Sequence, residues 1–347
     1  MKKKIKVGII GTGFGLYGLY PAFLRDSRVE VVGIAGRNIE SAKNSLLKRR
    51  VDSDLLPVFS DYKTLIESAS PDAIAIALPP FLQEEVALYA FNKKLAVFAE
   101  KPLATSVTIA KKLCEAAQKS SRAHMVDFMF SEIDAWKKTK ECLANPTYAP
   151  FHHIYYRWFF ESFDYKTGLM GWKTDSKSGG GLLRYFSSHV LYNLEFLGGK
   201  IKSMRSRIFN LKNSQGETAA NLEIQFQNGM SASVQLSCVT RGKIEHVLDF
   251  IGDQGTLTLE NKTPAYAKGF SLSFSDQNKK SILLDSSSVK DESTEDERVA
   301  PVSRLAKKFL NWMETGQEQE PNFNQALRVQ ELIDFVERSQ EVFIPTS

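Results

Sequence analysis

The chain of 347 residues is poor in the residues that build disulfides and metal sites. It has three cysteines, Cys114, Cys142 and Cys238, widely separated and odd in number. No pair has ligand spacing and no disulfide framework is available, so they read as structural thiols in a reducing compartment. His152 and His153 are neighbours on an extended segment, where successive side chains point to opposite faces. With no third ligand near them in sequence, no metal is expected. No apolar run approaches the ~20 residues that a membrane span needs. The excess of basic residues is small, 45 against 40 acidic, and the formal charge is +5. No block of Lys and Arg is long enough for a nucleic-acid surface. A basic cleft for an anionic cofactor or substrate is enough to explain the excess. Repeats and low-complexity tracts are also missing. The start, MKKKIKVGII, has the charge of a signal peptide, but its apolar part alternates, contains Lys6 and runs into a glycine turn. It reads as the first strand of a cytoplasmic protein.

Hydrophobic residues make up 43% and charged residues 24%, the balance of a soluble globular protein, and the length suggests two domains. From residue 5 to about 128, short apolar runs alternate with helix-like stretches. Strands are expected at 5–10, 29–36, 56–60, 72–78, 95–99 and 123–130. Helices are expected over 39–50, from a cap at Asp61, up to about Lys93, and over 105–120. This alternation predicts an α/β fold, a doubly wound parallel sheet of Rossmann type, over residues 1–128. Residues 131–145 read as a helix leading out of it. Over 129–347 the texture becomes aromatic strands and hairpins, as at 152–160, 221–239 around Asn228-Gly229, and 246–261. That predicts an α+β domain with an open, mostly antiparallel sheet. The charge run DESTEDER (291–298) reads as a solvated loop. Helices at 303–316 and 324–340 follow, and these C-terminal helices could pack back on the first domain.

Two motifs carry chemistry. The first is the turn Gly11-Thr12-Gly13-Phe14-Gly15 after the first strand. Gly11 permits the tight turn and Gly13 lets the backbone approach a pyrophosphate. The sixth fingerprint position is Leu16 rather than glycine. At the end of the second strand, Ala35-Gly36-Arg37-Asn38 has no carboxylate for a ribose hydroxyl. Arg37 can instead fork onto a 2′-phosphate, so NADP(H) is expected over NAD(H), with NAD(H) possible. Arg37 stacked on the adenine of either cofactor is the alternative. The second motif is Glu100-Lys101-Pro102 at a strand end. The proline pushes Lys101 out of the helical region. Ligands of open α/β sheets bind at the carboxyl ends of the strands, so Lys101 and the dinucleotide would share one cleft.

These residues resemble the Gfo/Idh/MocA oxidoreductase family over almost the whole chain. The likeness rests on the glycine turn with Pro21-Ala22, on Pro79-Pro80, on Glu100-Lys101-Pro102, on Gly179-Gly180-Gly181 with Ser188-His189, and on Arg328-Val329-Gln330. The resemblance implies a Rossmann domain joined to an open α/β domain that forms homodimers or homotetramers through its sheet. It implies hydride transfer between a nicotinamide and a carbinol or ketone of a sugar, inositol or nucleotide-sugar-like small molecule. Cofactor contacts are then expected from Gly11, Thr12, Gly13, Phe14, Gly15, Gly36, Arg37, Asn38, Leu78, Pro79, Pro80, Gln83, Glu100 and Lys101. Catalysis falls to Lys101, His189 and Tyr185. A lysine desolvated near another cation titrates closer to working pH. Two departures stand out. Tyr185 occupies the slot of the family's aspartate, and Gln83 that of a histidine. Tyr185 is either a proton donor itself or a mark of lost activity. Arg157, Trp172, Lys173 and Arg184 are candidate substrate contacts, since Trp can stack on a sugar face and the cations can hold an anion. A catalytically silent NADP-binding regulator, and a reductase of a non-sugar such as a tetrapyrrole or dihydrodiol, remain alternatives.

Overall fold

A computed structural model describes residues 3–48, 56–212, 214–278, 280–286 and 295–339. Residues 49–50 of the expected second helix, residues 291–294 of the charge run and residue 340 of the last helix lie outside the described residues. The chain divides into two compact units, Met1–Met129 with Thr294–Arg328, and Phe130–Ser293 with Val329–Ser347.

The first unit is a six-stranded, wholly parallel sheet of strands β1 (Ile5–Ile10), β2 (Val29–Ala35), β3 (Val58–Phe59), β4 (Ala73–Ile76), β5 (Ala96–Ala99) and β6 (His124–Val126), in the order β3-β2-β1-β4-β5-β6. That is the doubly wound order, with its switch point between β1 and β4. The crossovers are α1 (Tyr20–Leu24), entered through a wide helical turn at Gly15–Leu19, then α2 (Ile39–Lys48), α3 (Tyr62–Ala69), α4 (Pro80–Asn92) and α5 (Val107–Ser120). Local chemistry starts these helices. Asp61 accepts the Thr64 N–H at 2.9 Å, Ser106 accepts that of Ile109, and Pro80 takes a first-turn position where its missing N–H costs nothing. Phe23, Phe98 and Phe309 meet edge to face at 5.4–6.3 Å and are fully buried. Each contributes about 1.5–3 kcal/mol of burial.

The expected strand over 123–130 ends at Val126. Asp127 still donates to the Ala99 carbonyl, but Phe128 N–H turns back to Val126, and a short helical turn follows at Met129–Glu132. A buried apolar run reads alike in strand and turn. Helix α9 (Val299–Thr315) starts before the expected residue 303, with Pro301 in its first turn. Gly316 closes it in the left-handed region at φ +73°, donating to Trp312.

The second unit is an eight-stranded sheet in the order β14-β13-β12-β11-β7-β10-β9-β8. Its strands are β7 (Phe151–Phe159), β8 (Ile201–Phe209), β9 (Ala219–Phe226), β10 (Ser231–Ser237), β11 (Glu245–Gly252), β12 (Gly255–Asn261), β13 (Ser271–Asp276) and β14 (Ser281–Ser286). Only β7 and β10 pair in parallel. The expected hairpin at Asn228-Gly229 joins β9 to β10. Strands β8, β13 and β14 were not expected from the sequence. Helices α6 (Asp134–Ala144), α7 (Phe163–Thr167) and α8 (Ser187–Gly198) belong to this unit, and α10 (Phe323–Arg338) ends in it. The buried face of β9 is Ala220, Leu222, Ile224 and Phe226, alternating with exposed residues as a one-sided sheet requires. The core includes Phe130, Trp136, Tyr156, Trp158, His246 and Phe270.

Candidate active site

In the first unit the carboxyl ends of five adjacent strands are tied into one rim. Gly11 donates to Ala35, Ala77 to Ile10, Glu100 to Ile76 and Asp127 to Ala99, all at 2.7–2.9 Å. At this rim the sequence turns from strand to glycine turn, double proline or Glu-Lys-Pro, so the chemistry-bearing residues collect along it. Gly11 has φ +114°, and a Cβ there would sit 2.2 Å from the Ala77 carbonyl oxygen. Only glycine lets the turn press onto the end of β4. Gly13 is the opposite case: it is exposed, and a Cβ there would meet nothing within 4 Å. This is bare backbone at the start of a helix, a fitting cradle for a pyrophosphate. Leu16, at the sixth fingerprint position, is 1% exposed and packs inward. The departure from glycine is absorbed by the core.

Thr12 lies across the end of β2, where a Cβ on Gly36 would collide with its methyl at 2.3 Å. Arg37 and Asn38 follow, both exposed. Phe14 folds back over Gly18 and packs edge to face on Tyr17. Above the Phe14 ring, at 4.4 Å, lies the guanidinium of Arg298, itself held by Asp296 through bonds of 2.8 and 2.9 Å. Sequence reasoning missed Arg298, whose position nearly 300 residues downstream gave no signal beyond the charge run.

Leu78 and Pro79 are half-buried at the end of β4, and Pro80 opens α4. One turn into that helix, Gln83 is completely buried. Its amide nitrogen donates to the carbonyl oxygens of Glu100 at 3.1 Å and Pro102 at 2.8 Å. Two carbonyl acceptors fix which end of the amide faces them. Gln83 therefore clasps the chain on both sides of Lys101. Its Oε1 is buried with no partner among the described residues, a fitting acceptor for a ligand amide. Lys101 lies in a half-buried bend, its peptide bond to Pro102 is cis, and its N–H donates to the Glu100 carboxyl at 3.2 Å.

Glu100 and Asp127 stand at the ends of neighbouring strands and meet through their carboxyl groups. Burial pushes both above the ordinary carboxylate range, Asp127 the further, and mutual repulsion adds to its rise. The positive charges of Lys101 and Arg298 pull the other way.

The second unit holds the remaining candidates. A Cβ on Gly180 would sit 2.0 Å from the Trp172 carbonyl oxygen, so the bare backbone lets residues 172–173 lie against the turn that carries Tyr185. Trp172 and Tyr185 rings meet edge to face at 5.3 Å, and the Lys173 ammonium lies 5.7 Å from the Tyr185 ring. Those three candidates come together. His189 is 2% exposed and meets Phe130 edge-on at 5.0 Å and Tyr266 at 6.2 Å. Arg157 commits its guanidinium to Glu245 at 3.0 Å and Asp249 at 2.9 Å on the sheet. Arg184 forks onto Glu337. Both arginines thus have carboxylate partners within the protein.

The core of this unit also contains His246, absent from the sequence candidates. It is stacked on Trp158 at 4.6 Å and bonded to the Tyr156 hydroxyl at 2.9 Å. Burial pushes its pKa down to about 3. His152 pairs with Asp253 at 2.6 Å and His153 with Ser231 at 2.7 Å. Among the described residues, no group of three or more His, Cys, Asp or Glu could hold a metal ion, and no helix is long and apolar enough to cross a membrane.

Residues 5–128 match the family model described as "Oxidoreductase family, NAD-binding Rossmann fold", and residues 137–258 match the "GFO/IDH/MocA C-terminal domain". An uncharacterized oxidoreductase of Synechocystis sp. is 25% identical over 280 residues, 77% of this chain and 74% of its own length. The 1-carboxy-3-chloro-3,4-dihydroxycyclohexa-1,5-diene dehydrogenase of Comamonas testosteroni is 22% identical over 253 residues, 72% of this chain and 62% of its own. Among solved structures, a levoglucosan dehydrogenase in complex with NADH and levoglucosan superposes with a TM-score of 0.82 at 17% identity, over 97% of each chain. At that identity the likeness is one of fold.

Proposed function

Because this chain belongs to the Gfo/Idh/MocA oxidoreductase family, we propose that it moves hydride between NADP(H) and a carbinol or keto carbon of a sugar-like small molecule, with Lys101 as the acid/base group. Membership makes it an NAD(P)-binding oxidoreductase; cofactor preference, substrate and residue roles are the proposal. The observation that carries it is the shared rim. Gly11 and Gly13 at the end of β1, and Lys101 after β5, lie at the carboxyl edge of one parallel sheet. The nicotinamide supplies the hydride chemistry when bound. Lys101 takes the hydroxyl proton when a carbinol is oxidised and returns it when a ketone is reduced. Gln83 holds the backbone on either side of that lysine. Gly13 offers bare backbone N–H groups to the pyrophosphate.

Arg37, exposed at the end of β2 in a segment without a carboxylate, is assigned to the 2′-phosphate. A charge-assisted contact contributes roughly 1.5–3 kcal/mol, or ~10-fold to ~100-fold in affinity. Trp172, Lys173 and Tyr185 are assigned to substrate, Trp172 as a stacking face and Lys173 as an anion contact. His189 is assigned as acid/base partner or orienter of the substrate hydroxyl. The open sheet of the second unit is assigned to a homodimer or homotetramer, which light scattering tests. The Comamonas relative's name favours a second reading of the same chemistry, oxidation of a cyclic dihydrodiol.

The test is a panel of ketosugars, inositols, nucleotide sugars and dihydrodiols read by NADPH absorbance, in wild type and Lys101→Ala. Turnover on one class, lost in Lys101→Ala, is expected. Tight NADPH binding with no turnover on any class, unchanged in the variant, would make the protein a regulator instead.

A further inference from the structure

We propose that Glu100 and Asp127 hold one proton between them at neutral pH and serve Lys101 as a proton-holding partner. The geometry comes first. Ala99 and Val126 are register partners on β5 and β6, so the next residue on each strand brings a carboxyl group to the same point of the rim. Asp127 is 3% exposed, and one of its carboxyl oxygens is buried without a hydrogen-bond donor among the described residues. The Asp127 carboxyl group meets that of Glu100. Two ionised carboxylates repel and have no hydrogen to share, so carboxyl groups that bond to each other hold a proton. Among the described residues, the positive charges that act most on the pair are Lys101 and Arg298, and Arg298 is already matched by Asp296.

A pair holding one proton carries a single negative charge beside the Lys101 ammonium. This use of the proton rests on the role given to Lys101 above. In the reducing direction, Lys101 releases a proton to the substrate oxygen and becomes a neutral amine. The carboxyl pair then passes its proton to that amine, restoring the ammonium and leaving two carboxylates. Half-buried Glu100 takes a proton back from water. In the oxidising direction the same protons run outward. The relay lies within the first unit, and it needs no carboxylate at position 185, where this chain has tyrosine.

Infrared titration of the whole protein without substrate tests the pair. Wild type should show a protonated-carboxyl band at pH 7 that shifts in D2O and fades at alkaline pH. Asp127→Asn should lose it. Lys101→Met removes a facing positive charge and should move the fading point up by about one pH unit or more; Glu100→Gln removes the repelling carboxylate and should move it down. The Glu100→Gln arm decides the matter if Asp127→Asn does not fold. No band in wild type at pH 7, a band unchanged in Asp127→Asn, or a fading point unmoved in Lys101→Met and Glu100→Gln would overturn the proposal. These readouts need no turnover. Failure of the substrate panel sinks the reading of function, and failure of the titration sinks the shared proton.

Discussion

Removing the Gln83 clasp should cost the protein both stability and the placement of its lysine. The Gln83 amide nitrogen satisfies two carbonyls, Pro102 at 2.8 Å in a buried setting and Glu100 at 3.1 Å in a partly buried one. Gln83→Leu keeps most of the volume and removes the donor. A buried carbonyl left without a partner costs roughly 1–3 kcal/mol, so the two together should cost about 3 kcal/mol. For a unit of this size that is a fall in Tm of roughly 6–12 °C. Gln83→Ala should cost about 1–2 kcal/mol more, because it also leaves a cavity. The functional effect should fall on kcat rather than KM, since a reacting group misplaced by about 1 Å can lose ~100-fold. Urea unfolding followed by steady-state kinetics on the best substrate of the panel makes the comparison. A Gln83→Leu protein within ~0.5 kcal/mol of wild type would refute the clasp. A large stability loss with kcat intact would show that the clasp holds the fold and not the lysine.

Arg37→Ala should weaken NADPH binding ~10-fold to ~100-fold and leave NADH binding nearly unchanged; isothermal titration with both cofactors checks this, and equal losses would contradict a 2′-phosphate contact. Trp172→Ala and Lys173→Ala should raise KM while NADPH affinity holds; an unchanged KM in both removes them from the substrate site. Burial pushes His246 down to about 3 and His124 down to about 4. A histidine depressed in the folded state contributes stability above the unfolded value of ~6.5 and loses it as pH falls toward the folded one. Between pH 6 and 5, Tm should therefore drop, each histidine costing on the order of 1 kcal/mol, and His124→Phe should flatten the slope. Asp127 has the opposite sign. Its pKa is raised, chiefly by burial, so its contribution is present at low pH and declines as pH rises from about 4. Asp127→Asn should remove that decline, which thermal melts from pH 4 to 8 would reveal.

The fold of the first unit was legible because buried parallel strands are short apolar runs separated by capped helices. Ile5–Ile10, Ala73–Ile76 and Ala96–Ala99 all sit inside the expected runs. The strand expected to reach Phe130 was too long because Phe128, Met129 and Phe130 are buried in a turn, and apolarity alone does not distinguish the two. Strands β8, β13 and β14 were not read from the sequence. Ser271–Asp276 does alternate serine with buried Leu272 and Phe274, the pattern of a one-sided strand, but the run is short; Ser281–Ser286 has no fully buried residue and so carries little signal. In the candidate site, glycine and proline marked the rim, because strand ends need their backbone freedom or their stops. Gln83 was read only as a cofactor contact, and what gathers around Glu100-Lys101-Pro102 was hidden. Gln83, Asp127 and Arg298 reach the same rim from α4, from the end of β6 and from the start of α9, and no spacing in sequence links them. For Arg157 and Arg184, read from the sequence as substrate contacts, the carboxylate partners Glu245, Asp249 and Glu337 lie far away in the chain and could not be foreseen.

The most direct test of the central claim is a crystal structure of the protein with NADP(H) bound. It should show the pyrophosphate against the backbone of residues 11–15 and the Lys101 amine beside the nicotinamide C4 atom. An ordered cofactor whose reactive carbon lies far from Lys101, with that amine turned into bulk water, would contradict the account.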